Sequence, residues 1–72
     1  MTANQIILNR ALRKAEQVRA KARRQRDIIA AMHIDGDARA TLELVAAATL
    51  AATRADRAVS EARSALIATV RA

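Results

Sequence analysis

The sequence predicts an all-α fold, an antiparallel two-helix hairpin that completes a four-helix bundle by dimerisation. Three observations lead there. Apolar positions recur at alternating steps of three and four residues, the 3.5-residue period of a coiled-coil seam. The 72 residues contain no proline and a single glycine, Gly36, at the midpoint. The chain also carries more aliphatic side chains than two helices can cover.

The first helix starts at Thr2-Ala3-Asn4-Gln5, which has the form of a capping box: Thr2 accepts from the Gln5 backbone N–H while the Gln5 side chain reaches back. Its expected seam is Met1, Asn4, Leu8, Ala11, Ala15, Val18, Ala22, Gln25, Ile29 and Met32. Past Asn4, Gln25 is the one polar group on that line. It either fixes register, as a buried amide does in coiled coils, or reaches the edge of a thin interface.

His33-Ile34-Asp35-Gly36-Asp37 is the only turn signal. Gly36 can take the left-handed conformation that ends a helix, and Asp37, with Asp35 as the weaker choice, is expected to cap the next one. A second helix then runs from about Ala38 to Arg71, with a seam at Val45, Ala48, Ala52, Ala55, Val59, Ala62, Leu66 and Thr69. The chain thus reads as one domain over residues 1–72: helix 3–33, turn 33–37, helix 38–71. So short a turn makes the helices antiparallel, with residue i opposite about residue 71 − i. Ile28, Ile29 and Met32 then meet Leu42, Leu44 and Val45 near the turn. Ile7, Leu8 and Leu12 meet Leu66, Ile67 and Val70 at the open end. Between them lies an alanine waist of Ala15, Ala22, Ala48, Ala52 and Ala55, with Val18 its only larger member. Thr41, Thr49, Thr53 and Thr69 need no special role, since a helical threonine bonds the preceding turn.

Beyond Met1 there are seventeen larger aliphatic side chains, too many for one two-helix seam. Residues 44–53 hold no charge on any side, and a helix apolar on most sides is covered on most sides. The expected oligomer interface comprises Leu42, Ala46, Leu50, Ile28 and Met32. The expected partner is a second copy, a dimer being the simplest closed assembly, or a helical protein.

Residues 10–26 hold eight bases against Glu16 alone. The chain's net charge of +6 therefore resides in the first helix, since residues 35–72 balance at five bases and five acids. Several like charges sit three or four residues apart, each pair costing a few tenths of a kcal/mol. Arg13, Arg19, Lys21, Arg23, Arg24 and Arg26 are the candidate anion-binding residues, for DNA, RNA or an acidic protein. The opposing view is a solvated coiled-coil flank in a genome that favours arginine codons: arginines outnumber lysines eleven to two. With no aromatics to stack on unpaired bases, recognition of nucleic acid would be by backbone and shape.

No cysteine is present, so disulfides and thiolate metal sites are excluded. His33 beside Asp35 and Asp37 reads as a capping turn before it reads as a metal site. Neither a nucleophile–base pair nor a glycine-rich phosphate loop is visible, and no cofactor, catalytic residue or small-molecule substrate is expected. The middle of the first helix offers a membrane surface only Ala and Val. No apolar run approaches the roughly 18 residues that span a bilayer, and no charged segment followed by an apolar one marks secretion. A cytoplasmic, non-enzymatic assembly module is the leading expectation. A nucleic-acid-binding regulator using the basic face of the first helix is the alternative.

Overall fold

A computed structural model describes residues 2–71, which form two helices and no strand: α1, Ala3–Ile34, and α2, Leu42–Arg71. The predicted position of Met1 in the seam lies outside the described residues. The helices pack side by side into a rod of 51 × 13 × 11 Å. Its radius of gyration, 16.1 Å, exceeds the roughly 11 Å of a compact 72-residue domain. Only one seam is therefore available for burial.

The start of α1 is the capping box read from the sequence. Gln5 N–H donates to Thr2 Oγ1 at 3.2 Å, and Thr2 N–H donates to Gln5 Oε1 at 3.1 Å. Its end is a complete Schellman motif. Gly36, at φ 80°, donates its N–H to the His33 carbonyl at 3.1 Å, and Asp37 N–H donates to the Met32 carbonyl at 3.0 Å. Two carbonyls orphaned at the helix end are thereby satisfied.

The expected cap of the second helix is corrected. Asp37 does not start α2, because its carboxylate is committed to Arg39 two residues on. Oδ1 accepts from the Arg39 backbone N–H at 2.9 Å and from Nε at 3.1 Å, while Oδ2 accepts from Nη2 at 2.8 Å. This aspartate-led turn delays the helix by four residues. Ala40 N–H donates to the Asp37 carbonyl at 3.0 Å, Ala40 is buried, and its own carbonyl accepts from His33 Nδ1 at 2.7 Å. His33 thus pins the turn to α1. Thr41 is the actual cap: its Oγ1 accepts from Leu44 N–H at 3.2 Å. Glu43 in the first turn complements the helix dipole. Further along, Thr49, Thr53 and Thr69 each donate to the carbonyl four residues before, at 2.8–3.0 Å, as expected of helical threonines.

The α2 seam is the predicted one. Ala52, Ala55 and Val59 are buried, and Val45, Ala48, Ala62, Leu66 and Thr69 are half-buried. On α1 the predicted line holds at alternate positions, and Met32 at its end is also half-buried. Leu8, Ala15, Ala22 and Ile29 face α2, but Asn4, Ala11, Val18 and Gln25 are exposed. Their places are taken by Gln5, Leu12, Arg19 and Arg26, each half-buried. The seam has turned by one position at these levels, and it now includes two arginines. The aliphatic part of Arg19 or Arg26 covers apolar surface while its guanidinium reaches water. The later start of α2 also shifts the pairing. A coiled-coil register consistent with the cross-helix ion pairs sets Leu8 level with Leu66 and Ile29 level with Val45, inside the two expected end clusters but about three residues off the simple 71 − i rule. The larger member of the alanine waist is Val59, not Val18.

Gly36→Ala should lower stability by about 1 kcal/mol, the usual cost of a left-handed non-glycine residue. A Cβ there meets nothing within 4 Å, so the loss is conformational alone, and thermal unfolding measures it. The Arg39 side chain, then the Arg39 backbone N–H, hold the Asp37 carboxyl below its ordinary value of 3.8. A depressed carboxyl stabilises the fold above that ordinary value and ceases to as pH falls through its folded one. The melting-temperature advantage of wild type over Asp37→Asn should therefore be constant near neutral pH and shrink below about pH 4.

Candidate interaction surfaces

In an antiparallel pair of seven-residue repeats, each seam is bordered by two flanks, and each flank of one helix meets the same flank of the other. In this hairpin the two differ in chemistry. On one side stand Asn9, Glu16, Arg23 and Ala30 of α1 and Thr49, Asp56, Arg63 and Val70 of α2. Arg23 Nη2 lies 2.8 Å from Asp56 Oδ1, and Arg63 Nη2 lies 3.9 Å from Glu16 Oε2. The first contact is short but lacks the alignment of a hydrogen bond, since Asp56 Oδ1 is shielded and accepts none. Both pairs are about half exposed, where screening leaves each at most about 1 kcal/mol. Through the first contact α2 supplies an acid to Arg23 of the basic cluster.

The other flank carries no charge at all. It holds Asn4, Ala11, Val18, Gln25 and Met32 of α1 beside Leu44, Ala51, Ala58 and Ala65 of α2. All are exposed except Met32, which is half-buried. The hairpin closes over its charged flank, where Asn9, Glu16, Ala30 and Asp56 are half-buried, and leaves its apolar flank open. Val18 is 53% exposed, and Ile7 and Ile28, one row further out, are 61% and 53% exposed. Gln25 is therefore an edge residue of the hairpin's own seam.

The predicted interface residues are divided between faces. Ile28 and Met32 border the uncharged flank. Leu42, at 70% exposure, lies in line with the charged one, Ala46 is exposed beyond it, and Leu50, half exposed, points away from α1. At the open end Ile67 and Val70 are exposed rather than packed.

The predicted anion-binding residues divide similarly. Arg13, Lys21 and Arg24 are exposed on the outer face of α1. Arg19 and Arg26 lie in the seam, Arg26 Nε also donating to Asp27 at 3.1 Å, and Arg23 is paired with Asp56. Arg10 and Lys14 complete the outer face and were absent from the predicted set. Assigning the charges to seven-residue rows on the true seam separates them, whereas linear clustering does not. Among the described residues no three metal-binding side chains gather, no cavity opens between the helices, and no helix is long and apolar enough to cross a membrane. Comparison with protein-family models, curated proteins and solved structures yields no match.

A double-mutant cycle on Arg23→Ala and Asp56→Ala should return a coupling below about 1 kcal/mol that fades with added salt. Chemical denaturation of the four proteins at two ionic strengths measures it.

Proposed function

We propose that this chain is a non-enzymatic assembly module that works as a homodimer, two hairpins closing a four-helix bundle through their uncharged flanks. The observation carrying this reading is the poverty of the single-hairpin core. Among the described residues Val59 is the one larger side chain fully removed from water, while ten Ile, Leu and Val side chains stay exposed. A lone hairpin leaves most of its hydrophobic driving force unused.

The surface area supports a second copy of standard size. The chain exposes 5487 Å², against roughly 4,400 Å² for a folded monomer of this mass. The excess of about 1,100 Å² is close to the ~800 Å² each partner contributes to a stable interface. The flank also suits a copy of itself. Being uncharged, it brings no like charges together, and its alanines allow close helix approach. Val18, Ile28, Met32 and Leu44 provide the larger groups. Gln25 would then lie inside the bundle, where an amide selects register.

Size-exclusion chromatography with light scattering tests this. Wild type should run at twice 7.8 kDa, and Val18→Glu, placing a carboxylate in the flank, should run as a monomer of reduced helicity. Leu50→Glu, on the outer side of α2, should leave the dimer in place. A fully helical wild-type monomer at tens of micromolar, or a Val18→Glu protein as dimeric as wild type, would sink the proposal.

A further inference from the structure

Once the seam and the paired flank have claimed Arg19, Arg23 and Arg26, five cations remain on α1: Arg10, Arg13, Lys14, Lys21 and Arg24. All five are exposed, and none has an ion-pair partner among the described residues. Both acids of α1 are engaged elsewhere. Glu16 faces Arg63 on the charged flank, and Asp27 is held by Arg26. The stripe therefore runs without a carboxylate over fifteen residues of helix, Arg10 to Arg24, about 21 Å at 1.5 Å per residue. It lies on the side of α1 turned away from α2, so the hairpin leaves it open; Lys14 and Lys21, in the row of Ile7 and Ile28, stand at the rim of the uncharged flank. Its like charges cost the free helix stability, and a ligand that neutralises them recovers it.

We infer that this stripe binds the phosphate backbone of duplex DNA. Its form suits an extended polyanion better than a local acidic cluster. The charges are strung along a rigid rod, as duplex phosphates are strung at one per ~1.7 Å of axis. The absence of aromatic side chains withholds the stacking platforms used for single strands. Of the two duplex forms, B-DNA has a major groove about 12 Å wide that accepts a helix, whereas the A-form groove of RNA is narrow and deep. Binding of this kind has no base readout, so it tracks the backbone without sequence preference.

The test is fluorescence anisotropy with a labelled duplex of about 30 base pairs across about 50–200 mM salt. Five phosphate contacts give a log–log slope near −4.5, at about −0.9 each. Arg13→Glu with Lys21→Glu should weaken binding at least about tenfold, since two of five contacts turn repulsive. Arg57→Glu with Arg71→Glu makes the same change in net charge on α2 and should leave affinity within a few-fold. Circular dichroism and light scattering confirm fold and assembly of each variant, with Arg13→Gln and Lys21→Gln replacing the reversals if helicity falls. Four outcomes overturn the inference: no binding at the lowest salt, equal loss in the α2 variant, equal affinity for polyglutamate, or preference for duplex RNA.

Discussion

Two helices laid side by side share one line of contact, and everything else in this molecule follows from how little that line can hide. A seam between rods of this length has eight levels, and here alanine occupies six of the sixteen seam positions. Alanine brings the axes close and supports helix formation at almost no cost in side-chain entropy, but it buries little area. The hairpin obtains its shape from propensity, caps and the Gly36 reversal more than from its core. Helices at the edge of self-sufficiency gain most of their stability from packing against something further. The open uncharged flank is where that packing is to be had.

Charge sorts the remaining surface. The paired flank joins Arg23 to Asp56 and Glu16 to Arg63, contacts too exposed to contribute much stability but specific enough to fix which way the two helices lean. Opposite charges on one flank and none on the other make the hairpin asymmetric. It closes toward the side where attraction exists, and the apolar row it abandons is contiguous across both helices. Had Val18 and Ala58 carried charges instead, nothing would distinguish the flanks.

The local signals in the sequence were readable because each is decided within a few residues. The Thr2–Gln5 box, the left-handed Gly36, the α2 seam and the helix-internal threonines all stand as the pattern implies. The misreadings come from competition between partners that a linear pattern does not rank. Asp37 has the chemistry of a cap, but a guanidinium two residues away captures both its oxygens, and Thr41 inherits the role. On α1 the line through Val18 and Gln25 and the line through Arg19 and Arg26 are equally periodic. Hydrophobicity alone favours the first, yet the hairpin uses the second, where two arginines are half-buried. The basic cluster was legible as a cluster; its division into seam, flank and outer stripe depended on that same choice.

That choice also separates the two surfaces in their physics. Burying the uncharged flank brings no ionised groups together, so its driving force is the removal of apolar area from water, which added salt does not weaken. Binding of a polyanion to the outer stripe of α1 would act through counterion release and weaken steeply as salt rises. The two proposed interactions on one helix would therefore respond differently to ionic strength. In the proposed dimer, pairing through the uncharged flank would double a charge of +6 on one particle. The self-repulsion added by such assembly is what a bound polyanion would relieve, so the two proposed interactions would reinforce one another.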